Sequence, residues 1–490
     1  MARETLDVLI IGAGLSGIGQ GCHMRKTCPD KSFAIIEGRS SLGGTWDLFR
    51  YPGIRSDSDM FTFGYRFKPW NAAKDIAPGP DILTYLNETV DEYGLREKIR
   101  LKSRVTALDW SSAENRWIAT VKPVDGAPYE ISAKFVSSCT GYYDYDKGYL
   151  PEWDGYEDYQ GLIAHPQHWP EDLDYRGKRV AVIGSGATAV TIVPTMAETA
   201  AHVTMIQRSP TYIYNVPSSD PIAKWLRRLL PSRAAYKLSR IKNILLGVYL
   251  FSLSKRKPDG VRKHLRKMAV DELGEDFDVD THFKPDYNPW DQRLCLIPDG
   301  DFYKSLTAGD ASIITDHIDR FTETGILTKS GETVEADIIV PATGLQIQFG
   351  GGMRLSMDGA PIDLTERYVY RGMMLSGIPN FVVTFGYTNA SWTLKSDLTA
   401  DFVCRLVIRM DEKGAEVVAA MTGDDPIEPG PLVGLNSGYL LRATHLLPKS
   451  GAERPWKNYE NYISDMLSIR YGKIEDGVLA FSNVVPDGSA

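Results

Sequence analysis

Two glycine-rich turns, each directly after an apolar strand, have the residue types and spacing for nucleotide chemistry. The first turn follows the predicted strand Asp7 to Ile11 and contains three glycines in G-x-G-x-x-G spacing: Gly12, Gly14 and Gly17. Such a turn places backbone N–H groups and a helix N-terminus against a pyrophosphate. Ser16 lies in the same turn, and Glu37 ends the next strand, where a carboxylate can accept hydrogen bonds from ribose hydroxyls. These features predict that the first turn binds FAD or NAD. Because the carboxylate favours an adenosine ribose without a 2'-phosphate, as in FAD, we expect FAD.

The second turn differs from the first at the end of the strand that follows it. It comprises Gly184, Ser185, Gly186, Ala187, Thr188 and Ala189, after the predicted strand Val180 to Ile183. The next strand, Val203 to Ile206, leads into Gln207, Arg208 and Ser209 instead of an acid. A guanidinium beside a hydroxyl suits the 2'-phosphate of NADPH. For Arg208 alone, an ordinary surface arginine remains the alternative.

Each glycine turn is matched by a later strand that ends in x-T-G. Lys134 to Ser138 precedes Cys139 to Gly141, and Asp337 to Val340 precedes Ala342 to Gly344. The repeated pattern predicts an α/β fold with two Rossmann-like dinucleotide-binding domains and an inserted helical subdomain. The predicted domain segments are 1–145 (FAD, first part), 146–218 (hinge and NADP, first part), 219–290 (helical insert), 291–380 (NADP, second part) and 381–490 (FAD, second part).

Length, charge and cysteine spacing exclude several classes of protein. A chain of 490 residues with a net charge of -8 has room for several domains and gives no reason to expect nucleic acid as a partner. The five cysteines lack C-x-x-C spacing, which argues against a zinc site, a disulfide framework and the redox pair of a disulfide reductase. We therefore expect no metal. Because the N-terminus runs straight into a strand and the longest apolar run, Ile244 to Leu253, is too short to span a bilayer, a cytoplasmic location is expected.

The segment 221–270, here called the basic insert, contains fourteen Lys and Arg residues and one acidic residue, Asp259. Its pattern predicts basic amphipathic helices. Such helices can form a lid over a site or contact a membrane surface peripherally, and the two roles are compatible. We therefore expect a cytoplasmic location and leave membrane association through this segment as an open alternative.

A further motif lies between the two turns and resembles the fingerprint F-x-G-x-x-x-H-x-x-x-W-P of the type I Baeyer-Villiger monooxygenases, within the class B flavin monooxygenases. The matching residues are Tyr159, Gly161, His165, Trp169 and Pro170, with Tyr in place of the usual Phe. The resemblance extends through G-G-T-W at Gly43 to Trp46 and R-Y-P-G-I-R-S-D at Arg50 to Asp57, and it is strongest to the subgroup that contains the mycobacterial ethionamide-activating enzyme.

This resemblance implies an enzyme that uses FAD, NADPH and dioxygen to convert ketones to esters or lactones through a 4a-peroxyflavin, and that also oxygenates thioethers or thioamides. Arg293 matches the active-site arginine, Asp57 the carboxylate that orients it, and His165 a hinge residue that couples domain motion to catalysis. The remaining matches are Thr45, Trp46 and Asp47 along the flavin, Val105 at its adenine end, and Trp392 at the substrate cavity. Gln292 departs from the family, where many members have a lysine that grips the 2'-phosphate, and this weakens the prediction of NADPH preference.

Two rival functions stay open at this point. One is a pure nitrogen or sulfur oxygenase of the flavin-containing monooxygenase type, which would not convert ketones to esters. The other is a membrane-associated flavoprotein sensor or an uncoupled NADPH oxidase, whose support in the sequence is the basic insert.

Overall fold

The computed structural model describes residues 3–72, 74–292 and 294–486. The predicted active-site residue Arg293 therefore lies outside the described residues. Within these ranges the chain forms two main β-sheets with helices packed on them, together with several small strand pairs. The predicted α/β class with two Rossmann-type units and a helical region is confirmed.

The first sheet is parallel at its centre. Its central strand, Glu4–Ile11, pairs in parallel with Phe33–Ile36 on one side and with Tyr129–Ser138 on the other. Every residue of Phe33–Ile36 is buried, as expected for a parallel strand that is covered on both faces. The eleven strands of this sheet among the described residues are Glu4–Ile11, Phe33–Ile36, Ile99–Arg100, Ser103–Ser111, Arg116–Pro123, Tyr129–Ser138, Arg354–Met357, Ala360–Pro361, Val369–Tyr370, Met374–Leu375 and Phe381–Val383.

The second sheet repeats the parallel arrangement on a smaller scale. In spatial order its strands are Ala311–Thr315, His202–Gln207, Arg179–Ile183, Ile338–Pro341 and Leu162–Ile163. The edge strand Leu162–Ile163 belongs to the Y-x-G-x-x-x-H-x-x-x-W-P motif and pairs with Ile338 and Ile339. The motif is therefore built into the edge of the second sheet.

Two later segments of the chain pair with strands of the first sheet. Arg354–Met357 pairs in parallel with the hairpin strand Ser103–Ser111, and Phe381–Val383 pairs with Tyr129–Ser138. The partners in these pairs are more than 240 residues apart in the chain. Because the strands are short, the sequence alone does not indicate with which distant strand each one pairs. The predicted domain boundaries themselves stay a prediction.

Helices cover the two sheets and form the insert. They are Leu15–Thr27, Thr45–Leu48, Met60–Phe63, Gly79–Glu92, Ala187–Ala197, Pro221–Leu229, Ser232–Arg256, Pro258–Leu273, Val279–His282, Asp301–Thr307, Trp392–Lys413, Gly438–Ala443 and Tyr462–Asp465. In the part of the chain that the structure describes, none of them combines the length and the apolar character needed to cross a membrane.

Small sheets complete the fold. They pair Ile213–Val216 with Cys295–Pro298, Ile318–Thr322 with Gly325–Thr328 and Thr333–Glu335, Val417–Ala420 with Leu479–Ser482, and Pro429–Gly430 with Ser450–Gly451. In the first of these, the strand Cys295–Pro298 begins three residues after Gln292.

Candidate active site

The two glycine turns are built in the same way. Gly12 has a φ of +102° and Gly184 a φ of +132°, values that residues with a side chain rarely adopt. A Cβ on Gly12 would lie 2.6 Å from the carbonyl oxygen of Cys139, and one on Gly184 would lie 2.3 Å from that of Ala342. Each turn is therefore pressed against the x-T-G segment of its own domain, which explains why both motifs occur twice.

The first turn fits the predicted FAD. Glu37 accepts hydrogen bonds from the backbone N–H of Ala13 (2.7 Å) and of Arg39 (2.8 Å), so its carboxylate is fixed beside the turn. A carboxylate has about four lone-pair sites, which leaves acceptor capacity for ribose hydroxyls. Gly14 approaches Gly44 of the G-G-T-W motif, where an added Cβ on Gly44 would lie 3.0 Å from the Gly14 Cα. The G-G-T-W segment is therefore held directly against this turn.

Ser16 has a partner that sequence spacing did not reveal. The indole N–H of Trp392 donates to the Ser16 hydroxyl oxygen (2.8 Å), and Tyr142 stacks on the Trp392 ring with centroids 5.2 Å apart. Because the hydroxyl already accepts from Trp392, its own proton is directed elsewhere, toward any acceptor at the turn. Trp392 therefore contacts both the first glycine turn, through Ser16, and the ring of Tyr142.

We expect Trp392→Phe to weaken FAD binding about two- to tenfold, because one hydrogen bond that orients the Ser16 hydroxyl is lost. The dissociation constant can be measured by the quenching of flavin fluorescence when FAD is added to apoprotein. Trp225→Phe is the matched control, because Trp225 is 59% exposed and distant in sequence from the turn. Unchanged FAD affinity in both Trp392→Phe and Ser16→Ala would contradict this role.

A cavity of about 680 Å³ lies where the two units meet. From the first unit it is lined by Thr45, Trp46 and Asp57. From the second unit it is lined by Gly184, Ser185, Gly186, Ala187, Thr188, Arg208 and Ser209. Residues predicted to contact the flavin and residues predicted to bind NADPH therefore share one cavity.

The second turn fits a phosphorylated nucleotide. Arg208 and Ser209 are exposed at the cavity, and Arg208 has no acidic partner in the described part of the chain. By contrast the preceding residue, Gln207, is buried and donates to the carbonyl oxygen of His282 and the hydroxyl of Thr315. Gln292 also lines the cavity, and Ala189 is fully buried behind the turn. Arg208 therefore presents a guanidinium to the cavity beside this turn, and its contact with a 2'-phosphate stays a prediction.

Asp57 lies in the cavity wall beside a residue that the sequence analysis missed. Arg55 lines the same wall and its Nη1 donates to the Asp301 carboxylate (2.5 Å). Its Nη2 is buried with no hydrogen-bond partner among the described residues. A buried guanidinium nitrogen without a partner is costly, so a group that binds in the cavity would gain from pairing with it. The signal in the sequence was its place in R-Y-P-G-I-R-S-D, two residues before Asp57.

Asp47 occupies a different environment from its neighbours Thr45 and Trp46. Its carboxylate is buried and accepts hydrogen bonds from Ser41, Arg39 and Arg50 instead of facing the cavity. Burial alone would raise the pKa of Asp47, but the hydrogen bonds from Ser41 and Arg39 and the charges of Arg39 and Arg50 lower it below its ordinary value. These contacts fix the position of the short helix Thr45–Leu48, which begins within the G-G-T-W motif. Contact of Asp47 with the flavin stays a prediction, as does the backbone contact of Val105, which is buried in the strand Ser103–Ser111.

His165 lies at the connection between the domains and does not line the described cavity. Its Nδ1 accepts from the backbone N–H of Gln167 (3.1 Å), and the Gln167 side chain donates to the carbonyl oxygen of Asp144 (2.7 Å). Burial lowers the pKa of His165, although the backbone of Tyr149 partly offsets this effect, so the ring is neutral near pH 7. The ring therefore caps the turn that follows it, while the Gln167 side chain connects this turn to Asp144. The part of His165 in catalysis stays a prediction.

The His165 ring is packed against Gly148, where an added Cβ would lie 2.0 Å from the ring. We expect Gly148→Ala to lower the free energy of unfolding of the FAD-loaded protein by about 1–3 kcal/mol through overpacking. Thermal unfolding followed by flavin fluorescence measures the effect. Gly260→Ala, whose Cβ would meet open space, is the control. Adding His165→Ser to Gly148→Ala should recover the free energy of unfolding that Gly148→Ala loses. A double variant that is as unstable as Gly148→Ala would refute a clash with the ring.

A second cation at the cavity was also missed by sequence reasoning. Arg442, from the helix Gly438–Ala443, lines the cavity and lies over the Tyr149 ring at 3.5 Å from its centroid. It is separated from the second glycine turn by about 250 residues of sequence, and no motif marks it. Only the folded chain shows that a C-terminal helix helps to close the cavity.

Comparison with known sequences places the chain among flavoproteins. A family model described as pyridine nucleotide-disulphide oxidoreductase matches residues 9–233. The chain is 52% identical over 480 residues to the FAD-containing monooxygenase EthA of Mycolicibacterium smegmatis, covering 98% of this chain and 97% of that protein. It is 48% identical over 494 residues to the putative FAD-containing monooxygenase MymA of Mycobacterium tuberculosis, covering 100% of both chains.

Solved structures show the same fold at lower identity. A steroid monooxygenase bound to NADP superposes with a TM-score of 0.77 at 24% identity, covering 98% of this chain and 100% of that chain. Cyclohexanone monooxygenase in a closed form superposes with a TM-score of 0.72 at 20% identity, covering 86% of this chain and 87% of that chain. At this level of identity the likeness concerns the fold.

Proposed function

The chain belongs to the family of FAD-containing monooxygenases, and on this premise we propose that it uses NADPH and dioxygen to convert ketones to esters or lactones. We also propose that it oxygenates the sulfur of thioethers or thioamides. The single observation that carries the proposal is the shared cavity, in which the second glycine turn and Arg208 meet Trp46 and Asp57. When bound, the flavin would supply oxygen activated from dioxygen, and NADPH would supply the electrons that reduce the flavin.

Different described residues would hold the two cofactors. Glu37 and the first glycine turn would bind the adenosine ribose and the pyrophosphate of FAD, with Ser16 as a donor. The second turn would bind the pyrophosphate of NADPH, and Arg208 would pair with its 2'-phosphate. This assignment supports NADPH even though Gln292 replaces the lysine found in many type I enzymes.

Oxygen transfer to a carbonyl requires a positive charge at the reacting atoms and the exclusion of water. We propose that Arg293 supplies this charge, because a guanidinium stays protonated at any working pH and offers several donors in one plane. Asp57, in the cavity wall, would orient it. Aromatic side chains that line the cavity, among them Trp46, Phe49, Tyr142 and Tyr143, support the exclusion of water.

The test is to incubate purified, FAD-loaded protein with NADPH and a panel of linear, cyclic and aryl ketones plus a thioether, and to identify products by mass spectrometry. We expect esters or lactones from at least one class of ketone, together with a sulfoxide. Sulfoxide with no ester from any ketone would instead assign a heteroatom oxygenase. Hydrogen peroxide as the sole product would assign an uncoupled NADPH oxidase.

A further inference from the structure

The insert has an outer face of large apolar side chains that water contacts freely. On the helix Pro221–Leu229 these are Ile222, Trp225 and Leu229, and on the helix Ser232–Arg256 they are Leu238, Ile241, Leu245, Leu246 and Tyr249. Apart from the adjacent pair Leu245 and Leu246, neighbouring members are three or four residues apart, which places them on one side of each helix. Each is between 46% and 61% exposed. We call this set the outer face.

The opposite side of the insert is anchored to the first unit, so the outer face cannot turn inward. Arg240 is buried and its Nη1 donates to the carbonyl oxygens of Phe61 (2.6 Å) and Gly64 (2.7 Å). The Tyr236 hydroxyl donates to the carbonyl oxygen of Tyr65 (3.0 Å), and Arg227 pairs with Asp75 (2.9 Å). Large apolar side chains that are held outward in this way on two neighbouring helices indicate an interaction site.

Cations accompany the outer face on the same two helices. Lys224, Arg228, Arg233 and Lys237 are exposed, and none has an acidic partner within the described ranges. Some other cations of the insert are paired with acidic residues, as Lys242 is with Asp220 and Lys255 with Asp291. The unpaired set therefore offers positive charge to an external anionic surface.

From this arrangement we infer that the outer face docks on the surface of a bilayer that contains anionic lipids. Helices with Lys and Arg beside an apolar stripe that includes Trp lie in the interface between headgroups and acyl chains. A second copy of the chain is a poorer occupant, because a symmetric contact would bring the same four cations against each other. This inference goes beyond the proposed chemistry and does not depend on the identity of the oxygenated substrate.

The docked helix also reaches the cavity wall. Phe251 contacts the Trp290 ring edge-on at 5.8 Å, and Lys255 Nζ donates to the Trp290 carbonyl oxygen (2.9 Å). Trp290 is two residues before Gln292, which lines the cavity. One helix therefore connects the outer face with the segment that leads into the site.

The test is co-sedimentation of the FAD-loaded protein with vesicles of phosphatidylglycerol and phosphatidylcholine, compared with vesicles of phosphatidylcholine alone. We expect binding to the anionic vesicles and at least about tenfold weaker binding to the neutral ones. The Ile241→Ser/Leu245→Ser double variant should lose at least about tenfold in binding to anionic vesicles. Its control is Val124→Ser/Leu467→Ser, which alters exposed apolar residues elsewhere.

A charge variant tests the electrostatic part separately. Lys224→Gln/Arg228→Gln/Lys237→Gln should weaken binding to anionic vesicles roughly a hundredfold. The control triple variant Lys122→Gln/Lys178→Gln/Lys329→Gln, at exposed lysines outside the insert, should bind like the unaltered protein. FAD content and turnover of a water-soluble ketone without vesicles should be the same in all four variants, which separates this inference from the proposed chemistry.

Several results would overturn the inference. They are absence of vesicle binding, equal binding to neutral and anionic vesicles, or equal loss in the test and control variants. A dimer in size-exclusion chromatography that Ile241→Ser/Leu245→Ser abolishes, with no binding to vesicles, would identify a second copy as the occupant instead.

Discussion

Replacing Arg293 with alanine is expected to lower ester formation about a hundred- to thousandfold while NADPH still reduces the flavin at close to the normal rate. The magnitude is that of removing one preorganised charge-stabilising donor from an active site. Reduction should survive because the residues assigned to NADPH, the second glycine turn and Arg208, are unchanged. Anaerobic stopped-flow absorbance measures reduction, and product analysis under air measures oxygen transfer.

Two further variants decide whether the charge or merely the side-chain volume is responsible. Arg293→Lys keeps the charge but loses the planar set of donors, so its activity should fall between that of alanine and arginine. Asp57→Asn should impair product formation in the same direction, because Asp57 in the cavity wall is assigned to orient the guanidinium. Ester formation at the normal rate in Arg293→Ala would remove Arg293 from the mechanism.

The second large effect is expected at the other end of the cavity. Arg208→Ala should raise KM for NADPH about ten- to a hundredfold, because a charge-assisted contact with the 2'-phosphate is lost. KM for NADH should change little, since NADH has no 2'-phosphate. Steady-state NADPH and NADH oxidation with one ketone measures both values.

The matched control for this variant is Arg354→Ala, which alters an exposed arginine on the first sheet. It should leave both KM values unchanged. If Arg208→Ala raised KM for NADH as much as for NADPH, the residue would be a general support of the turn and not the ligand of the phosphate. Sequence position alone could not separate these two readings.

The local parts of the fold were predictable because each depends on a short stretch of sequence. The strand that leads into Glu37 and the two strands that precede the x-T-G segments follow from apolar runs. The two glycine turns follow from spacing, and the structure adds the reason for their pairing with Cys139 and Ala342. Physical constraints that act within about 20 residues are visible in one sequence.

Contacts between distant segments were not predictable in the same way. The bond from Trp392 to Ser16 joins residues 376 positions apart, and the unpartnered nitrogen of Arg55 is known only once Asp301 is placed beside it. Asp47 shows the converse, since its motif predicts contact with the flavin but its carboxylate is occupied by Arg39, Ser41 and Arg50. A motif fixes the position of a backbone segment, whereas the direction of each side chain depends on partners from elsewhere.

The basic insert illustrates the same limit for surfaces. Its charge and periodicity predicted amphipathic helices, but the sequence left open which side packs on the protein. The buried contacts of Arg240 and Tyr236 settle this point and leave Trp225 and Tyr249 facing outward. A lid over the site and a docking face on a bilayer are compatible with that orientation.

The most direct test of the central claim is a turnover of FAD-loaded protein with NADPH and a ketone under ¹⁸O₂. We expect an ester or lactone that carries a single ¹⁸O atom, seen as the corresponding mass increase in the product, with labelled water as the other product. An unlabelled ester would show that the inserted oxygen comes from water. NADPH consumption with labelled peroxide and unchanged ketone would equally contradict the assignment of this cavity to oxygen transfer.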